Sequence, residues 1–170
     1  MMRLLCATFA AILLTGAGML PAAEPVIGST DPDALFHSGD PKLNAHKQTV
    51  YHIIKDIIEA GHWELADQYM TADYIQHNPK VPTGRGAAEK YFTQVLKIKP
   101  KPILPRLQTI KVVAVIAEGN YVIVAEPREL PDPHAATGQY TTTWFDMWRF
   151  DGDKVAEHWD AAKLDDQFKL

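Results

Sequence analysis

Apolar residues recur at Leu43, Val50, Ile53, Ile54, Ile57 and Ile58, the spacing of a single helical face. Asp40 and Pro41 stand just before this stripe as an N-cap and a first-turn proline, and Gly61 follows as a stop. The pattern predicts a first helix over this span and a shorter second helix from about Trp63 to Met70. A short extended piece, Tyr74 to His77, is closed by Asn78-Pro79. A third helix is expected from about Ala87 to Ile98, burying Ala88, Tyr91, Phe92, Val95 and Leu96. Pro100, Pro102 and Pro105 end it and impose an extended link.

The pattern then changes to period two. A strand is expected over Leu107–Ala117, a turn at Glu118-Gly119-Asn120, and a second strand over Tyr121–Glu129. After a loop at Pro131-Asp132-Pro133, residues Gln139 to Asp160 read as two strands joined by a turn at Asp151-Gly152. Three helices followed by antiparallel strands predict an α+β domain. Its expected architecture is a cone-shaped α+β barrel, with three N-terminal helices packed on a strongly curved, mainly antiparallel sheet. Such a cone has a closed floor and an open mouth, and suits a small apolar ligand.

The last hairpin carries three of the four tryptophans, Trp144, Trp148 and Trp159, and with them Asp146, His158 and Asp160. Strand alternation puts Tyr140, Thr142, Trp144, Asp146, Trp148 and Phe150 on one side. A carboxylate between tryptophans on one face is costly unless paired or put to use. Whether His158 and Asp160 join Asp146 depends on the turn. A three-residue loop with Gly152 in the left-handed position brings all three together, whereas a loop of Asp151 and Gly152 alone turns His158 and Asp160 away. The three-residue loop is the expectation.

Charge and composition narrow the function. The 170 residues carry a net charge of −4, with basic residues scattered apart from the short Lys97, Lys99, Lys101 cluster, so no nucleic-acid partner is expected. Arg3, the apolar run Leu4 to Leu14 and the small residues ending at Ala22-Ala23 read as a signal peptide. Residues 1–23 would then be removed near Ala23 and the protein exported, to the periplasm or beyond, with no membrane segment left. Cleavage takes the only cysteine, Cys6, and with it any thiol chemistry. Residues 24–39 read as an extended or disordered lead-in, and 40–170 as a single domain.

Certain motifs also carry a resemblance. Tyr74-Ile75-Gln76-His77-Asn78-Pro79, then Gly84 and Phe92, then Asp146-Met147-Trp148-Arg149-Phe150, Asp151-Gly152 and Glu157-His158-Trp159-Asp160 resemble the SnoaL-like polyketide cyclase family. That family belongs to the α+β superfamily that includes nuclear transport factor 2. The resemblance covers about residues 40 to 165. It implies the cone fold, a homodimer through the open sheet face, and intramolecular aldol ring closure without metal or organic cofactor. An aspartate in the last strand is the acid/base group, and Asp160 matches it. A histidine fourteen residues earlier assists in the cyclases; Asp146 stands at that position here.

The residues and the resemblance together give a candidate site. Asp160 is the expected base, with His158, Asp146 and His77 as tuning or donating partners, His77 facing the cavity. Tyr74, Phe92, Trp144, Trp148 and Phe150 form the expected apolar lining. Metal ligation by His77, His158, Asp146 and Asp160 is geometrically possible, since imidazole and carboxylate suit zinc or iron, but no metal is assigned. Two functions stay open. One is cyclase-, isomerase- or lyase-type acid/base chemistry on a small apolar carbonyl compound. The other is non-catalytic binding of a small hydrophobic ligand.

Overall fold

The computed structural model of the chain describes residues 24–133 and 137–165. The expected signal peptide lies outside the described residues. No helix among those described is long and apolar enough to cross a membrane.

Helix α1, Pro41–His52, starts where the sequence placed it. The Asp40 side chain accepts a hydrogen bond from Leu43 N at 2.9 Å, and Pro41 occupies the first turn. The helix continues into a π-helical segment, Ile53–Glu59. Val50, Ile53, Ile54 and Ile57 are fully buried along it. Gly61 ends it at φ 82°, where an added Cβ would come within 3.0 Å of Ile98 Cγ2 and 3.1 Å of Lys99 O. A turn at Trp63–Leu65 leads into α2, Ala66–Tyr69. Strand β1, Met70–Gln76, begins four residues earlier than expected, taking over the end of the anticipated second helix. Helix α3, Arg85–Lys90, is also extended by a π-helical segment, Tyr91–Val95.

The remaining strands are β2 (Ala114–Glu118), β3 (Tyr121–Pro131), β4 (Gln139–Asp151) and β5 (Lys154–Trp159). They form one sheet in the order β1-β5-β4-β3-β2, with β1 parallel to β5 and every other pairing antiparallel. The three helices pack on this five-stranded sheet. The sheet is curved but not closed into a barrel, since β1 and β2 remain its two edges.

Two departures from the expected layout have local causes. Residues 107–113, expected to open the first long strand, are mostly irregular because Glu59 holds their backbone. Its carboxylate accepts from Gln108 N at 3.1 Å, Ile110 N at 3.0 Å and Thr109 Oγ1 at 2.7 Å. Residues 24–39 pack against the domain rather than lying apart from it. Ser29 N donates to Val112 O at 2.7 Å, Val26 N donates to Thr141 Oγ1 at 2.7 Å, and Arg106 Nε donates to Asp33 Oδ2 at 2.7 Å. A short 3-10 turn, Asp33–Phe36, places Phe36 wholly inside the core, its ring 5.3 Å from that of Tyr51. A lone phenylalanine in a proline- and glycine-rich stretch has no periodicity to announce it.

Removing a fully buried phenylalanine side chain costs about 3–5 kcal/mol. Phe36→Ala is therefore expected to lower the unfolding free energy in urea by an amount in that range. A loss under about 1 kcal/mol, the scale of a surface substitution, would show that the lead-in is not part of the folded core.

Candidate functional site

The turn between β4 and β5 decides which side chains meet. Asp151 pairs with Lys154, so the loop is Gly152-Asp153, two residues rather than the expected three. Gly152 has φ 58°, as the first position of such a tight hairpin requires. This turn alone would send His158 away from Asp146. However, Phe150 pairs with Val155 while Arg149 pairs with Glu157, leaving Ala156 as a one-residue bulge. The bulge restores the parity. Trp148 then faces His158, and Asp146, His158 and Asp160 converge on the side of the sheet that faces the helices.

They open on a cavity of about 1040 Å³, with Trp63, Phe92, Trp144 and Trp148 among its apolar walls. Phe92 stacks on Trp63 with ring centroids 3.9 Å apart, and Arg128 Cζ lies 3.8 Å over the Trp144 ring. Tyr74, Gln76, Asn78 and Glu126 also reach this cavity.

His158 is held between two oxygens. Its Nε2 lies 3.0 Å from Asp146 Oδ1, and its Nδ1 lies 2.9 Å from Gln76 Oε1. The backbone N–H of Asn78 donates to that same Gln76 oxygen at 2.9 Å, which fixes the orientation of the amide. Nδ1 of His158 must therefore be the donor. A single proton then lies in the contact between Nε2 and Asp146, carried by one partner and accepted by the other. Gln76 Nε2 in turn donates to Tyr74 Oη at 3.1 Å, which leaves the phenol's own proton free to be donated. Burial, and then the charges of Asp160 and Asp146, push the Tyr74 pKa up, so the phenol stays protonated.

Asp160 follows β5 directly. Its Oδ2 accepts from Asn78 Nδ2 at 2.7 Å and its Oδ1 accepts from Ala162 N at 2.9 Å. Among the described residues, Asp146, His158 and Asp160 are the set that could hold a cation, with ligand atoms all within 4.8 Å of one another. A cation there would replace the His158–Asp146 hydrogen bond.

Two expected site residues lie elsewhere. His77 does not enter the cavity. It belongs to the opposite face from Tyr74 and Gln76, where it stacks on Trp159 at 4.8 Å and its Nε2 lies 2.8 Å from Glu157 Oε1. Glu157 also accepts from Arg149 Nε at 2.7 Å. The hydrogen bonds from His77 and then Arg149 hold the Glu157 carboxyl below its ordinary range. Phe150 is on the inner face but beneath α1, stacked on His46 at 4.0 Å, so it closes the floor instead of lining the cavity.

Gln76 and Asn78, not among the expected site residues, are parts of the polar network. Glu126 is an addition. It pairs with Trp144 across β3 and β4, one alternation along from the Val124–Asp146 pair. The signal was available: Val122, Val124 and Glu126 share a face by period two, so the apolar run on that face gives way to a carboxylate at Glu126. Burial, and then the neighbouring charge of Asp146, push the Glu126 pKa up to about 8.

This geometry belongs to a cone of helices on a curved sheet, with a carboxylate–imidazole network in its hollow. The family profile of the SnoaL-like domain matches residues 52–158, more than half of the chain, and the chain belongs to that family. Three solved structures are similar to the chain. One is a candidate polyketide cyclase from Acidithiobacillus ferrooxidans, with 17% identity, a TM-score of 0.50, and coverage of 72% of this chain and 89% of that one. Another is a nuclear transport factor 2-like protein from Burkholderia pseudomallei, with 15% identity, a TM-score of 0.48, and coverage of 70% and 91%. A candidate SnoaL-like polyketide cyclase from Jannaschia has 18% identity, a TM-score of 0.46, and coverage of 74% and 91%. No curated relative matches at the sequence level.

The Glu126 carboxyl makes stability depend on pH. Its folded value, about 8, lies above its ordinary value of 4.5. Its contribution is therefore full below about 4.5 and declines as pH rises to about 8, because the unfolded chain releases the proton first. Glu126→Gln cannot ionise, so its urea midpoint should fall less between pH 5 and pH 8 than that of the parent protein. Identical pH slopes would mean that Glu126 ionises as an exposed glutamate does.

Proposed function

We propose that the protein is a cofactor-free acid/base enzyme that enolises a small, mainly apolar carbonyl compound. The supporting observation is the placement of Asp160 beside the His158–Asp146 pair in an aromatic cavity. Membership of the SnoaL-like family supports cyclase- or isomerase-type chemistry of this kind. In the reaction, the Asp160 carboxylate takes a proton from the carbon next to the carbonyl. Asn78 and the Ala162 N–H aim that carboxylate. The developing enolate oxygen accepts a hydrogen bond from the Tyr74 hydroxyl. His158, oriented by Gln76 and Asp146, supplies or holds a proton next to the base. The tryptophan walls exclude water, which strengthens each of these interactions.

The reading extends to the protein's setting. Export after cleavage near Ala23 is supported by Arg3, the apolar run behind it and the small residues at the cut. A homodimer through the outer sheet face is supported by Ile116, Tyr121 and Phe145, which are 61%, 43% and 54% exposed on one side of β2, β3 and β4.

The test of the chemistry is exchange of the α-protons of 4-phenylbutan-2-one in D2O, followed by NMR. The parent protein is expected to catalyse exchange, and Asp160→Asn to lose about 10²–10⁴-fold, the usual contribution of a general base. Equal exchange by the two proteins would remove Asp160 from the role. A protein that shows no exchange and co-purifies with a stoichiometric apolar molecule in native mass spectrometry would be a binding protein instead.

A further inference from the structure

Glu126, Asp146 and Asp160 reach one cavity, whose wider lining also includes Glu59, Glu129 and Asp165. Asp146 is committed to His158, and Asp160 to Asn78 and the Ala162 N–H. Glu126 is different. It sits on β3, diagonal to Asp146, with Trp144 directly opposite it on β4. His158 and Asp160 lie on the far side of Asp146, on and just beyond β5. Two strand spacings, roughly 10 Å, therefore separate the backbones that carry Glu126 and Asp160. The two carboxyls therefore rise from different strands, with Asp146 on the strand between them.

The charges facing Glu126 explain its state. Asp146 is the charge that raises it, Asp160, Glu59, Glu129 and Asp165 share the cavity lining with Lys80, Lys99 and Lys101, and the imidazole of His158 is turned to Asp146 and Gln76. Arg128, two residues along the same face, lies over the Trp144 ring. Tyr74 is neutral. Three ionised carboxylates around one imidazole in a low-dielectric hollow repel one another, and the one without the histidine or an amide retains its proton. Burial raises the Glu126 pKa in the same direction. The site thus holds a base on one wall and an acid on the other, a division of labour typical of pairs whose environments separate them.

Enolisation alone does not call for the acid, because Tyr74 already serves the carbonyl oxygen. A donor at this remove is needed when a second heteroatom leaves. We infer that Glu126 is the general acid of a dehydration, protonating the departing hydroxyl of a β-hydroxy carbonyl substrate whose α-proton Asp160 removes. The inference rests on the enolisation reading above. Asp160 takes the α-proton, and the C–H electron pair becomes the new C=C bond by way of the enolate. The bond from the β-carbon to oxygen breaks with its pair going to oxygen, and the Glu126 proton completes a molecule of water. The product is an α,β-unsaturated carbonyl compound. Asp160 then returns its proton to solvent and Glu126 regains one, so the cycle needs no oxidant or reductant.

Two probes separate this step from the one beneath it. 4-Phenylbutan-2-one can only exchange its α-protons, which requires the base. 4-Hydroxy-4-phenylbutan-2-one can dehydrate to a conjugated, ultraviolet-absorbing enone, which requires both groups. The parent protein should act on both probes, with dehydration falling as pH rises through about 8, the value at which Glu126 loses its proton. Glu126→Gln should slow dehydration by about 10²–10⁴-fold and abolish that alkaline fall, with exchange reduced less than about ten-fold. Glu126→Asp, which keeps an acid on a shorter stem, should recover part of the dehydration rate. If Glu126→Gln dehydrates as fast as the parent, or slows both reactions equally while remaining folded, the assignment of Glu126 is overturned. Exchange without dehydration by the parent would overturn the elimination while leaving Asp160 as the base. Absence of exchange in the parent would remove the enolisation reading itself, and this inference with it.

Discussion

The hydrogen bond between His158 and Asp146 joins the two adjacent strands on which the rest of the cavity is hung. It forms only if both side chains rise from the same face, so it depends on the pairing of β4 with β5. It also determines how much negative charge the hollow can hold. An imidazole with Nδ1 committed to Gln76 has one nitrogen left for a carboxylate, and Asp146 takes it. Asp160 and Glu126 must find a different accommodation. Asp160 finds amide donors, and Glu126 stays protonated.

The polar groups are tied to the architecture around them. Gln76 is brought level with His158 by the parallel pairing of β1 and β5, the one parallel contact in the sheet. Asn78, just past the end of β1, reaches Asp160 just past the end of β5. The network therefore runs along the seam between an edge strand and its neighbour. The aromatic walls come from elsewhere: Trp63 and Phe92 from the helical layer, Trp144 and Trp148 from β4. β4 thus supplies both Asp146 and two of the tryptophans, and Phe150, stacked on His46, seals the floor.

Much of this was legible from residue order, for physical reasons that differ between residues. Period two in the tryptophan-rich hairpin exposed Asp146, Trp144 and Trp148, because a charged residue interrupts an otherwise apolar face. The first helix was legible from its cap and stripe. The position of His158 and Asp160 was expected on the correct side, but through a three-residue turn that the chain does not use. A turn and a bulge separated by two residues cannot be told apart from a longer loop by alternation alone. His77 was misplaced although the same alternation that sends Tyr74 inward sends its odd-numbered neighbours outward. Glu126 was passed over although alternation puts it on one face with Val122 and Val124. Phe36 and the Glu59 grip on residues 108–110 are long-range contacts, which no local pattern encodes.

The bulge at Ala156 sets a rule for how this hairpin can vary. Each residue added to or removed from the segment between Asp151 and Glu157 inverts which side of β5 faces inward. Single insertions there would present Glu157 and Trp159 to the hollow and expel His158. Changes in pairs would preserve the inner set while lengthening the tip. Length variation in this hairpin is thus quantised, and relatives that keep a working cavity should differ here by even numbers of residues or carry a second, compensating irregularity.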